Sequence, residues 1–522
     1  MQISRSLPRI RPPRVSVSRV ALIGFSAFAL IFIAFIFGVM SALYPPSFVI
    51  KVGMLVGLGV VFLLAVLVRD QGSTRPITVM SVLLYLLIFL LAVWPPYLSF
   101  QGLPGPSINP TRLVSWALSA LLFFWIVASP RMRAQLWKRI SAFSGFFWML
   151  GGYFVWAFVC SLAGDYPVPS IYHLIKQALG PLVAIFAVLM CFRDKRDVER
   201  AFVVMLAAAG LAVLVGLVEY ARKGNIFWDY LPSLFPQGDE AAQYTETLLK
   251  DKSRSGAYRV TSTFSHPLTF GEYLALCIPV AGYLALEAKA RLLRLAAWMA
   301  FPFLIAGIYL AHTRSPLIAA GITAGCMGLY MAIRAMRQKR SLFLSLVGIM
   351  SIAVIVSAGV VAAGYAIDLV IGRDAAERGS SMARLIMLER GGEMLALSPL
   401  LGYGAGQAAF AIGFIPGVSV LTIDNYYLSV ALESGVPGIL LFIGFLAYAC
   451  LLAFKLSFKG DPSSRLMSFA IFAAMLAFCV VKSALSLTQN MDIFFMLMGF
   501  AMVLTLDKGE SEPSEKVQNG VK

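Results

Sequence analysis

The sequence predicts an all-α polytopic membrane protein, with about fourteen transmembrane helices (roughly 12–14) and two long periplasmic loops carrying short helices. Three observations carry that prediction. The 522 residues are 59% hydrophobic and only 13% charged, with a mean hydropathy of +0.82, where a soluble chain carries about a quarter charged residues. Apolar runs long enough to cross a bilayer recur almost without interruption. The formal net charge of +17 is gathered in short clusters between those runs, which is the placement of cytoplasmic loops and argues against nucleic-acid binding.

The basic stretch 1–19 is followed by an apolar run from Val20 to about Leu43, too long for a signal-peptide core. It reads as a retained anchor with a cytoplasmic N-terminus. Spans follow near 50–68, 77–95, 113–129, 142–163, 176–192, 201–220, 268–287, 295–312, 315–333, 342–366, 435–456, 465–486 and 491–506. Each has about the 17–25 residues that a crossing needs. The chain thus divides into the N-terminal helices 20–220, a periplasmic loop 221–267, helices 268–366, a large periplasmic loop 367–434, helices 435–506 and a disordered cytoplasmic tail 507–522.

Charge tests this topology. Alternate connections hold Arg131, Arg133, Lys138 and Arg139; Arg193, Lys195, Arg196 and Arg200; Lys289, Arg291 and Arg294; Arg334, Arg337, Lys339 and Arg340; Lys455, Lys459 and Arg465. The opposite short connections hold one basic residue or none, so both termini are expected in the cytoplasm and both long loops outside. The six cysteines lie in or beside apolar runs without CxxC spacing, and His173, His266 and His312 are scattered. Neither a disulfide framework, a metal site nor a bound cofactor is expected.

The chemistry concentrates in the external segments. Arg259, Arg314 and Arg384 each stand where a loop meets a span. One reading is that they snorkel to lipid phosphates; the other is that they converge on a diphosphate, for which guanidinium is a planar, permanently charged donor set. Asp424 also has two readings, as the N-cap of the helix that starts near Tyr426 and as a base for a sugar hydroxyl. The Tyr426 and Tyr427 pair suits an interfacial aromatic belt or a sugar-stacking platform. Glu433-Ser-Gly-Val-Pro-Gly438 reads as a break between a surface helix and a span. Arginines at a departing diphosphate and a carboxylate at the attacking hydroxyl are the parts that glycosyl transfer from a lipid diphosphate requires. No DxD-type metal motif stands on that face, so a metal-independent reaction is expected.

At these residues the chain resembles the bacterial O-antigen ligase/polymerase family, which includes O-antigen and exopolysaccharide polymerases. The resemblance rests on Arg259…Thr263-Phe-Ser-His266-Pro267, Thr313-Arg314-Ser315, Arg384…Ser398-Pro-Leu-Leu-Gly-Tyr-Gly404 and Asp424-Asn425-Tyr426-Tyr427-Leu428 through Gly438, so it covers roughly 200–440. It implies a multi-pass protein of the bacterial inner membrane. Its implied reaction is inverting transfer of glycan from undecaprenyl diphosphate-linked oligosaccharide to a glycan or lipid acceptor at the periplasmic face, alongside other polysaccharide assembly proteins. It implies Asp424, Arg314 and Arg384 as catalytic residues. Arg259, Arg314, Arg384, His266, Asn425 and Tyr426 would bind the diphosphate and glycan. Ligases of the family usually carry His-Asn where this chain has Asp424-Asn425, which points to a polymerase ahead of a ligase; His266 stands where the family more often has Asn. A transporter or flippase is the reading from another class, and spans nearly free of charge at their centres, with Lys482 the main exception, speak against it.

Overall fold

The computed structural model describes residues 75–99, 109–227, 258–337, 375–413 and 423–518, with isolated positions between 346 and 353. The described residues are helical and contain no strand. The helices are α1 (Arg75–Val93), α2 (Pro110–Ala128), α3 (Pro130–Ala142), α4 (Ser144–Ala163), α5 (Pro167–Cys191), α6 (Lys195–Arg222) and α7 (Pro267–Glu287). They continue as α8 (Arg291–Leu310), α9 (Arg314–Arg337), α10 (Ala375–Leu397), the short α11 (Ala408–Ile412), α12 (Tyr426–Leu456), α13 (Pro462–Lys482) and α14 (Met491–Gln518).

Among the described residues, nine helices are long and apolar enough to cross a membrane: α2, α4 to α9, α12 and α13. The expected spans at 20–43 and 50–68, and most of 342–366, lie outside the described residues. The span expected from 435 keeps its start at a kink at Gly435, and a separate helical stretch from Tyr426 precedes it. One expected boundary shifts. The last helix runs on to Gln518 past the apolar pattern that stops near 506, since Glu and Lys are good helix formers once the chain has left the apolar phase.

The starts of these helices follow local chemistry. Side chains of Asn109, Ser129, Asp194, His266, Asn425 and Asp461 each accept a first-turn N–H, and proline follows four of them directly, at 110, 130, 267 and 462, where its missing N–H costs nothing. Helix α7 is enclosed on nearly all sides by α6, α8, α9 and α13. Lipid offers helices no hydrophobic gain on pairing, so close packing and polar contacts hold such a bundle together. The interior accordingly interleaves stacked rings, such as Phe478 on Phe494 at 3.9 Å, with small residues. A Cβ on Gly307 of α8 would lie 2.5 Å from Leu274 of α7 and 3.0 Å from Val213 of α6.

One end of the bundle gathers the candidate residues. Helices α7, α9 and α12 begin there at Pro267, Arg314 and Tyr426, and α6 and α13 end there at Arg222 and Lys482. It is called the site end below.

Candidate functional site

The sequence brings Arg259 to the site end through a buried carboxylate that composition hides. Glu219, three residues before the end of α6, is 1% exposed. Its Oε1 accepts from Tyr258 Oη at 2.9 Å, Thr261 N at 3.0 Å and Thr261 Oγ1 at 3.0 Å, and its Oε2 accepts from Ser262 N at 2.6 Å. A carboxylate in apolar surroundings is costly unless its lone pairs are filled. Here the 258–262 segment fills four of its acceptor sites and is fixed in return. Ser262 takes the left-handed conformation at φ 54° and its hydroxyl bonds back to Ala212 O at 2.5 Å. Val260 N donates to Leu310 O at 3.1 Å, which ties the segment to the end of α8. Only Ala311-His312-Thr313 separate α8 from α9, with His312 in the left-handed region at φ 46°. The start of α9 sits hard against α7, where a Cβ on Gly271 would lie 2.8 Å from Pro316. Arg259 is thus half-buried on a fixed strap, and Arg314 is exposed at the first position of α9 beside it.

His266 is the N-cap of α7: its Nδ1 accepts from Leu268 N at 3.1 Å. That bond places any proton of the neutral ring on Nε2. Next to it, Gln489 Oε1 accepts from Ser265 N at 3.2 Å and Ser265 Oγ at 2.7 Å.

The second half of the site is built from α10 and the start of α12. Arg384 Nε lies 3.3 Å from Asp424 Oδ2, with the two side chains 20% and 41% exposed. The sequence left Asp424 with a capping reading, and the structure gives that task to its neighbour. Asn425 Oδ1 accepts from Leu428 N at 3.2 Å. The carboxylate one residue earlier is left to Arg384. Tyr426 is 6% exposed and packs its ring 5.6 Å from Phe442, so the interior and not open solvent faces it. Tyr427 donates to Cys479 O at 2.9 Å.

The glycine-rich segment after α10 completes the start of α12 in a way the sequence hints at but does not specify. At Gly435 (φ 65°) the helical ladder breaks, and Pro437 has no N–H for Glu433 O. The 399–404 segment supplies the missing partners. Tyr403 N donates to Leu432 O at 2.8 Å, Gly404 N donates to Glu433 O at 3.0 Å, and Val436 N donates to Pro399 O at 2.8 Å. Trp156 Nε1 takes Ser434 O at 2.9 Å. Gly402 (φ 62°) and Gly435 lie where any Cβ would collide with the facing backbone, so glycine is required at both.

Between the two halves stands Lys482, the last residue of α13 and 1% exposed. Its Nζ lies 3.0 Å from Glu272 Oε1 on α7 and 5.9 Å from the centroid of Tyr426 on α12. Asn490 Nδ2 donates to Glu272 Oε2 at 2.8 Å. The sequence showed Lys482 as an exception in otherwise uncharged spans. Glu219, Glu272 and Asp492 also stand inside helices, near the ends of those helices and away from the helix centres that the sequence shows as nearly free of charge. A single carboxylate barely lowers the hydropathy of a long apolar run, which is why they escape notice. All four lie within about two turns of an end of their own helix, and Asp492 faces Gly180 near the middle of α5.

Among the described residues no group of three or more His, Cys, Asp or Glu side chains is disposed to hold a metal ion. What the site end offers is guanidinium from three separate elements, one carboxylate paired with one of them, and a hydrogen-bonded frame beneath. By fold and site this is a multi-pass helical membrane protein with an arginine-bearing, carboxylate-bearing face. Residues 299–443 match the family model described as O-antigen ligase, and this supports assignment of the chain to the O-antigen ligase/polymerase family. The matched stretch contains Arg314, Arg384, Asp424, Asn425 and Tyr426 and leaves out Arg259 and His266. No curated protein matches the chain significantly.

Proposed function

We propose that the protein is a glycosyltransferase that polymerises lipid-linked repeat units in polysaccharide synthesis. Its donor is glycan on undecaprenyl diphosphate, and it acts at the outer face of the bacterial inner membrane. The observation that carries this reading is the Arg384–Asp424 pair, formed while Asn425 alone caps α12. An acceptor sugar hydroxyl attacks the anomeric carbon from the side opposite the diphosphate, so the configuration inverts. The bond from that carbon to the diphosphate oxygen breaks, and the electron pair leaves with the diphosphate. Asp424 receives the hydroxyl proton, a contribution of about 10²–10⁴-fold for a positioned base. Arg259, Arg314 and Arg384 stabilise the charge that develops on the leaving group, each worth about 2–4 kcal/mol by analogy with other preorganised donors. The reaction so written draws its positive charge from guanidinium and calls on no metal. Arg314, Arg384 and Asp424 act on the reacting groups, while Arg259, His266 and Asn425 frame the donor. Tyr426 supports from beneath and does not stack on sugar.

A ligase reaction, in which the acceptor is lipid A–core, uses the same parts and is favoured by the description of the matching family model. Transport is the weaker reading, because most of the buried charges stand near one end of the bundle.

The test is consumption of a lipid diphosphate-linked repeat unit by the purified protein. Arg314→Ala and Arg384→Ala should each lose activity by roughly 30- to 1000-fold, and the Lys variants should recover it only in part because the bidentate fork is gone. Elongated lipid-linked product without added acceptor marks a polymerase, and transfer that needs a lipid A–core acceptor marks a ligase. Full activity in both Ala variants would leave only the snorkelling reading of these arginines.

A further inference from the structure

At the far end of the bundle lies a second cavity that the proposed transfer reaction does not use. It has a volume of about 550 Å³ and opens between the last turns of α9, the end of α12 and the start of α13. Arg314 opens α9 at the site end and Arg334 lines this cavity twenty residues on, so about 30 Å separates the two by helix rise. Its walls are apolar and aromatic, with Cys326, Phe454 and Phe469 among them. Tyr330 stacks on Phe469 at 4.2 Å and donates to Ser457 O at 2.8 Å. That bond closes the helix end beneath the cavity.

Two guanidinium groups flank this aromatic wall. Arg334 Nη1 touches Glu287 Oε1 at 3.4 Å, leaving the rest of its fork to the cavity it lines. Arg465 also lines the cavity, and its Nε is enclosed without a hydrogen-bond partner among the described residues. An enclosed guanidinium N–H without an acceptor costs free energy, and acceptor oxygens arriving from outside the chain would remove that cost. Both arginines line the same cavity as Tyr330. Apolar walls of this size beside paired arginines at a helix-bundle edge match a lipid whose chain lies in the cavity and whose phosphate reaches the guanidinium groups.

We propose that this cavity binds an anionic glycerophospholipid from the leaflet opposite the site, its phosphate held by Arg334 and Arg465 and one acyl chain lying against Tyr330, Phe454 and Phe469. The proposal is independent of the transfer reaction, because no residue of the site lines the cavity.

The full-length protein, purified in a mild detergent, would be titrated with phosphatidylglycerol, with phosphatidylcholine of the same chains and with inorganic phosphate, and bound lipid counted by native mass spectrometry. The expected result is retention of phosphatidylglycerol, little retention of phosphatidylcholine and no displacement by inorganic phosphate at millimolar levels. The double variant Arg334→Gln/Arg465→Gln should bind phosphatidylglycerol roughly ten- to hundred-fold more weakly, the scale of lost charged hydrogen bonds. Should that variant fail to fold, Cys326→Trp fills the wall while keeping both charges, and it too should lose the lipid. Equal retention of both lipids, unchanged retention in the variants, or full displacement by inorganic phosphate would each overturn the proposal. A cavity occupied by protein instead would show no lipid retention in any form, which overturns it equally.

Discussion

The Arg259 and Arg314 side of the site is fastened by buried hydrogen bonds, whereas the Arg384 and Asp424 side meets across a half-exposed ion pair. Four bonds to Glu219 define the first, and each buried bond contributes about 1 kcal/mol net. The second is a contact at 3.3 Å between side chains 20% and 41% exposed, and pairs of that kind contribute about 0–1 kcal/mol. The difference teaches which arginine is able to change partners. In the proposed reaction, moving Arg384 from Asp424 to a phosphate oxygen would sacrifice little, and the same exchange would release Asp424 to meet a hydroxyl. Arg259, held by its strap, is positioned before any substrate arrives.

The sharpest break of this contrast is Asp424→Asn. If Asp424 takes the proton, turnover should fall by about 10²–10⁴-fold. Helix α12 should remain intact, because Asn425 holds the cap. Asp424→Glu and Asp424→His should retain part of the rate. An Asn variant turning over like the parent would remove the base from the mechanism.

The post between the halves comes next. Lys482→Met leaves Glu272 buried and without its cation, and should lower stability by about 3–5 kcal/mol. The double variant Glu272→Leu/Lys482→Met should recover most of that loss. Thermal midpoints of the purified proteins decide it. A double variant no more stable than Lys482→Met would mean that Asn490 and Leu487 O, not the ion pair, hold the junction.

A smaller effect sharpens the clamped side. Glu219→Gln preserves shape but turns an NH2 group toward donors that have lost their acceptor, at about 1–3 kcal/mol. Weaker donor binding with unchanged dependence on pH is the expected kinetic signature. A fall in maximal rate alone would mean that the strap does not position Arg259.

The smallest effect lies at the far end. Burial raises the Asp461 carboxyl, but the two hydrogen bonds from Ser464 and the Lys195 ammonium outweigh it and hold it below the usual carboxylate range. A depressed carboxylate stabilises the fold above its unfolded value of about 4 and loses that contribution as pH falls below it. With Asp461 58% exposed, the contribution is at most about 1 kcal/mol. Asp461→Asn should therefore lower the thermal midpoint slightly at pH 7 and by less at pH 3, where the unfolded carboxyl is already protonated while the folded one is still ionised. An equal loss at both values would assign the effect to capping alone.

Much of this was legible in the chain. The span expected at 268–287 is helix Pro267–Glu287, because apolar runs between polar breaks carry their own boundaries. The arginines stood out because each stands where a loop meets a span. The pairing of Arg384 with Asp424 spans 40 residues, and no local pattern encodes it. Glu219 and Glu272 were hidden by the apolar runs around them, although a lone carboxylate near the end of such a run is itself a signal of a buried partner. The Glu433–Gly438 segment read correctly as a break. That its open carbonyls are met by the 399–404 segment depends on tertiary approach, which spacing does not reveal.

That last junction sets the unit in which this protein is divisible. In a membrane, backbone that departs from the helix persists only where other groups meet its N–H and C=O. The peptide groups of 399–404 and 432–436 answer one another across about thirty residues, so neither stretch is interchangeable alone. A hybrid carrying a relative's 399–404 segment against this chain's α12 would leave several peptide groups facing hydrocarbon whenever the two backbones fail to register. Hybrids that move residues 384–438 as one block keep every such partner, and with it the pair at Arg384 and Asp424. The block 384–438 is therefore the smallest piece of this region that keeps its own backbone partners.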